Sequence, residues 1–387
     1  MKFYSKNIFR SSSLLSYQSK KYASTEPTIL NQLKKGTGGR SSFNGQVVTV
    51  FGASSLLGRH LVSILGKMGC QIIIPYRGDP YFIRDYKVMG DLGQILFLPF
   101  HLDDTDSIKK AMRHSNIAIN LIGKQSKTRN FTINQTNIDG AARIARAAKE
   151  MDLEKFIHVS SMSQNLNPQA YVTKPSQFMI SKAKGEIEVM REFPETTIVR
   201  PADMWGYKDR FLAYYALPPR RVGLVLKNSI PLWKMGTETI KQPVNVQDVA
   251  QGIANLLKND DFNGKIIEAV GPHRYRLDDL VKWILFNCYY MPEQIVVTPI
   301  YNPILLARVA LNEVTAQLHP FMTFERLEQE FYTDKLEGNP TLEDIGVKLT
   351  KLEDRIHHIL HIFSKKRTYW EAVGEFPPPP NPPISPI

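Results

Sequence analysis

The chain has 387 residues, 43% hydrophobic and 22% charged, with 49 Lys and Arg against 37 Asp and Glu for a formal net charge of +12. That length exceeds what one small core serves, so one large domain or two smaller ones are expected. No apolar run approaches the roughly 18 residues of a membrane span. The two cysteines, Cys70 and Cys288, are too few and too isolated for a disulfide framework or a metal knuckle and read as small buried apolar residues.

Residues 1–25 differ from the rest. They carry Lys2, Lys6, Arg10, Lys20 and Lys21, a serine cluster at Ser11, Ser12 and Ser13, and no acid before Glu26. This is the composition of a mitochondrial presequence, whereas a secretory signal needs a longer uninterrupted apolar core. A disordered basic terminus is the plainer alternative. Without those five bases, 44 bases would face 37 acids, a net charge of +7. That balance favours an acidic partner surface or anionic lipid headgroups without choosing between them. Nothing in the pattern is a nucleic-acid module.

Residues 26–44 form an N-terminal arm, Gly/Ser-rich over Lys34 to Ser42, and after it strand and helix patterns alternate. Strands are expected over 47–51, 71–75, 95–99, 116–121, 155–160 and 196–200, with helices over 58–68, 105–113, 139–151 and 176–191. Continuous apolar runs such as Ile72-Ile73-Ile74 suit a parallel sheet covered on both faces. The expectation is an α/β fold, a Rossmann-type doubly wound parallel sheet, with residues 45–201 as its dinucleotide-binding domain. Beyond Pro201 the pattern loosens to helices over 246–258, 277–288, 303–317 and 324–332 and a strand at 266–269. This predicts a smaller, partly helical C-terminal lobe over 202–350 that completes part of the sheet. Residues 351–387 make a basic amphipathic and proline-rich tail. In it Leu352, Ile356, Ile359, Leu360 and Phe363 recur at helical spacing before Lys365-Lys366-Arg367, fitting either a headgroup interface or a helix packed on its own lobe.

The chemistry starts at Gly52-Ala53-Ser54-Ser55-Leu56-Leu57-Gly58, between the first strand and helix. A pyrophosphate turn needs positions 52 and 58 bare, so that the backbone approaches the phosphates and the helix packs on the strand. The helix N-terminus then offers unpaired N–H groups to the anion. Ser55 replaces the usual middle glycine, and its hydroxyl is a candidate phosphate donor. At the end of the second strand Arg77 stands where a carboxylate would hold the ribose of NAD. A guanidinium there grips a 2′-phosphate in a fork, so NADP(H) is favoured; the plainer reading is a surface arginine. His357, His358 and His361 lack the spacing of a metal motif, and no metal is expected. Lys124, Lys127 and Arg129 read as a solvated charged loop.

Together with Asn120-Leu121-Ile122-Gly123, Val159-Ser160-Ser161, Val199-Arg200-Pro201 and the 243–250 segment, these residues resemble the extended and atypical short-chain dehydrogenase/reductase superfamily. The resemblance implies a cofactor trough lined by Gly52, Ser54, Ser55, Leu56, Leu57, Gly58, Arg77, Leu102, Leu121, Ile122, Gly123, Ser160, Lys182 and Pro201. His101 stands where an acid often meets the adenine. The family's Tyr-x-x-x-Lys reads Phe178-Met179-Ile180-Ser181-Lys182 here, and phenylalanine has no proton to exchange. Ser161, Phe178 and Lys182 therefore read as a degenerate site with no catalytic residue, in which Lys182 still binds the nicotinamide ribose. The Tyr17 to Lys21 match falls in the presequence and is a coincidence.

Within that superfamily, Gly38 to Ser42, Ile74-Pro75-Tyr76-Arg77-Gly78, Met89 to Gln94, Glu154 to Ser160, Pro201 to Gly206 and Asp209-Arg210-Phe211 look like the accessory subunits of mitochondrial respiratory complex I. That branch implies a tightly held NADPH, other complex I subunits as partners, and a place on the matrix side of the inner membrane by the quinone-reaction module. It implies no electron transfer and no transmembrane span. The expectation is a non-catalytic NADPH-binding accessory subunit that stabilises the junction of matrix and membrane arms. The alternative is a mitochondrial NADP(H)-dependent reductase or epimerase, using Ser161 and a water.

Overall fold

Strand β1 (Val47–Phe51) is buried at four of its five positions because helices cover both of its faces. In the computed structural model the described residues are 43–385, apart from 129, 221–227, 289–294, 316–319 and 364–379. The presequence, most of the arm, Arg129, the basic run at 365–370 and most of the proline tail lie outside them. β1 joins β2 (Gln71–Tyr76), β3 (Ile95–Pro99), β4 (Ile117–Asn120), β5 (Lys155–Val159), β6 (Thr197–Pro201) and β7 (Ile266–Ala269) in one sheet. All pairings are parallel and the order is β7-β6-β5-β4-β1-β2-β3. The chain leaves β1 toward β2 and returns on its other side at β4, so a crevice opens above the carboxyl ends of these strands. In register, Phe51 faces Asn120 and Asn120 faces His158.

Alternation along each strand sorts the two faces. Val48, Val50, Ile117, Ile119 and Ile157 point into a core shared with α1 (Leu56–Lys67) and α6 (Val246–Leu256). Phe51, Ala118 and Phe156 point the other way, into a core with α2 (Thr105–Met112), α3 (Gly140–Glu150) and α4 (Gln177–Glu192). A third cluster, around Trp205, Tyr214, Leu280 and Ile284, joins α5 (Phe211–Ala216), α7 (Leu277–Asn287), α8 (Pro303–Thr315), α9 (Phe324–Glu330) and α10 (Leu352–Leu360). Both cysteines are buried, as expected.

Several elements depart from the sequence expectation. Helix α1 starts two residues early because Ser55 caps it, accepting the Gly58 N–H at 3.0 Å. A π turn, Gln135–Asp139, leads into α3. Pro80–Met89 is a 3₁₀ segment opened by Asp79, whose carboxylate accepts the Tyr81 N–H at 2.8 Å. Asn228–Leu232 and Ile295–Pro299 form a parallel pair outside the main sheet. Helix α10 buries Leu352, Ile356 and Leu360 in the third cluster, so of its two readings the one against its own lobe holds. Among the described residues no helix is long and apolar enough to cross a membrane, and no His, Cys, Asp and Glu grouping fits a metal.

Candidate functional site

The turn after β1 is built for bare backbone. Gly52 sits at φ +79°, and a Cβ there would come within 3.0 Å of the Leu121 carbonyl carbon. A Cβ at Gly58 would run into the Ala53 carbonyl oxygen, which the buried Tyr86 hydroxyl already holds at 2.7 Å. Ser54 is exposed at the tip. Leu57 sends its side chain into the core and offers only its backbone. The Leu56 and Leu57 N–H groups precede the first intrahelical bond and so have no partner within the helix.

Beside this turn lies the loop after β4. The Leu121 N–H donates to Phe51 O at 2.9 Å and the Ile122 N–H to Asn120 Oδ1 at 3.0 Å. A Cβ on Gly123 would stand 2.8 Å from Lys182 Nζ, so the glycine makes room for the lysine. Lys182 is buried and donates to Val159 O at 3.2 Å. Burial lowers its pKa to about 8 against the pull of Glu186. Arg200 grips that Glu186 in a fork, at 2.7 Å for the shortest contact, and so holds the carboxylate in place. Nearby, His158 is buried beside Asn120, and burial with the Lys182 charge lowers it to about 3, so it is neutral. Ser160 presents a buried hydroxyl with no protein partner, a group that invites a ligand.

Arg77 is exposed at the end of β2, its guanidinium 5.7 Å from the Phe131 ring centroid, and His101 packs on the same ring. Leu102 is buried against Gly140, and its carbonyl accepts Arg143 Nη1 at 2.6 Å. The Pro201 carbonyl accepts the Met162 N–H at 2.9 Å. Ser161 turns to Ser163, 2.9 Å between hydroxyl oxygens. Lys124 corrects the solvated-loop reading. It is half-buried, and the Asn137 amide brackets it by accepting its N–H at 2.9 Å and donating to its carbonyl at 3.0 Å.

Sequence reasoning missed Asn137 and the whole role of α9. Phe178 is only 5% exposed, and its N–H donates to Glu325 of α9 at 3.1 Å. Glu328 accepts the N–H groups of Tyr171, Val172 and Thr173 at 2.6 to 2.8 Å. Gln329 donates to Ser163 at 3.2 Å and accepts from Gln125 at 2.6 Å. Three side chains of one short helix thus tie down the loop before α4 and cover the serine end of the crevice. No local pattern marks them, because their partners lie more than 140 residues away.

The model of the NAD dependent epimerase/dehydratase family matches residues 48–269. NADH dehydrogenase (ubiquinone) 1 alpha subcomplex subunit 9, mitochondrial, of Rattus norvegicus is 41% identical over 340 residues, 86% of this chain and 84% of the relative. The mitochondrial NADH-ubiquinone oxidoreductase 40 kDa subunit of Neurospora crassa is 35% identical over 346 residues, 89% of this chain and 85% of the relative. Among solved structures, UDP-glucose 4-epimerase of Thermotoga maritima aligns with a TM-score of 0.56 at 17% identity, covering 83% of this chain and 99% of that one. DesIV of Streptomyces venezuelae, a dTDP-glucose 4,6-dehydratase with NAD and TYD bound, aligns at 0.55 and 14% identity over 85% and 100%. These two share the Rossmann-type fold described above. The chain belongs to the NAD dependent epimerase/dehydratase family and, within it, to the short-chain-dehydrogenase-like accessory subunits of mitochondrial complex I.

Proposed function

We propose that this chain is a mitochondrial complex I accessory subunit that holds NADPH as a structural ligand and does not turn it over. A nicotinamide dinucleotide supplies hydride chemistry where a proton donor stands beside it. The observation that carries the reading is the buried Phe178 ring, four residues before the buried Lys182, in a crevice whose serine end α9 covers. By the family resemblance position 178 belongs to the tyrosine acid, and a phenyl ring neither gives nor takes a proton. The residues present fit the dinucleotide: the bare turn at Gly52 and Gly58, the unpartnered Ser160 hydroxyl, the Lys182 ammonium and the exposed Arg77 guanidinium.

Residues 45–201 with β7 would form the NADP(H)-binding domain and 202–350 with α10 the second lobe, with 1–25 as a mitochondrial presequence and the residues after α10 as a basic, proline-rich tail. A nucleotide that binds only the folded chain stabilises it, by about 2.7 kcal/mol at a hundredfold excess over its Kd. That stabilisation would serve the junction of matrix and membrane arms on the matrix side of the inner membrane. The experiment is to solubilise inner membranes, resolve the native assemblies and extract the fraction containing this chain. Co-migration with complex I and one NADPH per chain are expected. A chain found alone, or carrying NAD or no nucleotide, contradicts the reading. The reductase alternative keeps one supporting observation, the buried lysine with its pKa lowered to about 8. Consumption of NADPH by the unmodified chain with a carbonyl substrate would favour it.

A further inference from the structure

We infer that Lys124 and Arg210 act with Arg77 as a clamp across the two lobes on the phosphate groups of a dinucleotide in the trough. The inference rests on the cofactor reading above. Arg77 comes from the end of β2, Lys124 from the loop after β4, and Arg210 from the turn before α5. Their placement is not loose. The Asn137 amide fixes the Lys124 backbone on both sides. Its neighbour Gln125 accepts Arg326 Nη1 at 3.5 Å and donates to Gln329 at 2.6 Å. Arg326 in turn donates to the Arg210 carbonyl at 2.9 Å, with its guanidinium 4.4 Å from the Tyr214 ring centroid.

Arg326 is therefore engaged, whereas no carboxylate among the described residues pairs with Arg77, Lys124 or Arg210. Asp209, next to Arg210 in the chain, and Glu330, four residues after Arg326, are already committed. Asp209 accepts the Gly206 N–H at 3.0 Å, and Glu330 pairs with Arg220 at 3.0 Å. Burial, the larger cause, and then the charges of Arg210 and Arg77 gathered beside it push the Lys124 ammonium below its ordinary pKa. Such a gathering costs free energy until an anion enters it. The ends of β2 and β4 flank β1, whose end carries the Gly52–Gly58 turn. The anion that reaches the turn and these cations together is a phosphate-bearing nucleotide. Its binding then draws the second lobe, through Arg210 and α9, onto the sheet.

The test uses the full chain with Lys124→Gln and Arg210→Gln, titrated with NADPH by fluorescence. Thermal melts with and without NADPH and hydrogen exchange over residues 324–330 accompany the titration. Each variant should weaken NADPH binding by about tenfold or more, the worth of a charge-assisted phosphate contact. Without nucleotide the variants should melt at or above the unmodified chain, because repulsion is removed. NADPH should protect residues 324–330 in the unmodified chain and much less in the variants. Equal NADPH affinity in all three proteins overturns the clamp alone. Equal lowering of the melts with and without NADPH also overturns it, since that marks a merely structural role. Failure of the unmodified chain to bind NADPH overturns the cofactor reading and the clamp together.

Discussion

The Lys182 ammonium nitrogen lies 3.2 Å from the Val159 carbonyl oxygen, in a space kept open by the missing side chain of Gly123. A buried cation with one carbonyl partner is costly, and its pKa falls to about 8. In the unfolded chain a lysine titrates near ~10.4. Between those values the unfolded chain holds a proton that the folded one has lost, so stability rises as pH climbs through the interval. Below pH 8 the burial cost is present in full. Lys182→Met should therefore flatten the rise and stabilise the nucleotide-free chain at pH 7 by up to about 3 kcal/mol. It should also weaken nucleotide retention. Urea melts of both proteins at pH 7 and pH 9.5 check this, and identical pH slopes contradict it.

Asp209 gives a second pH dependence, of opposite course. Its carboxylate accepts the Gly206 N–H at 3.0 Å, and burial raises its pKa to about 7 despite the backbone N–H groups it accepts. The unfolded chain loses this proton near ~3.9. Between that value and 7 the folded chain holds the extra proton, so stability falls as pH rises, and the full cost is reached above 7. Asp209→Asn keeps an acceptor for Gly206 without the charge. Its melting temperature should change less between pH 5 and pH 7.5 than that of the unmodified chain. An equal change in the two proteins would remove Asp209 from the account.

The parallel sheet, its crossover helices and the glycine turn after β1 were legible because each rests on local signals. Val48 to Phe51 is an apolar run, Ser55 is a cap, and Gly52 and Gly58 sit at a fixed interval. The sequence also shows Phe178 without ambiguity, since a side chain's chemistry needs no coordinates. What it hides is whatever closes over long intervals. Arg220 and Glu330 form a buried pair across 110 residues, and Glu325, Glu328 and Gln329 reach back to the loop before α4. Helix α9 has seven residues, and its charged sequence reads locally as a solvated helix. Lys124 reads as a solvated loop residue in sequence for the same reason, because its bracket, Asn137, belongs to a π turn that no periodicity announces.

On the NADPH reading proposed above, Arg77 is the residue that would select the dinucleotide. Its guanidinium is exposed at the end of β2 and leans toward Phe131. A forked contact to a 2′-phosphate is a charge-assisted bond of about 1.5–3 kcal/mol. Arg77→Glu both removes that contact and repels the phosphate, so NADPH affinity should fall by about 100-fold or more while NADH affinity changes little or rises. Competitive titration with the two nucleotides measures the ratio. Equal loss for both would assign Arg77 a role indifferent to the 2′ position.

Phe178→Tyr separates loss of the acid from closure of the crevice. A restored general acid is worth about 10² to 10⁴ in rate, but only where a substrate reaches it. Here the side chain at 178 is 5% exposed and its backbone is fixed by Glu325. The Ser161 hydroxyl faces Ser163, and Gln329 occupies Ser163 from α9. On the proposed reading, the absent phenol and the covered serine are two separate obstacles, and the substitution lifts one. Phe178→Tyr should therefore bind NADPH as the unmodified chain does and still consume none above background with aldehyde, ketone or quinone substrates. Turnover by the tyrosine variant alone would show that the crevice admits substrate and that α9 does not close it. Adding Gln329→Ala to Phe178→Tyr then asks whether α9 is the remaining obstacle: turnover in the double variant, with none in either single one, is the outcome that two separate obstacles require.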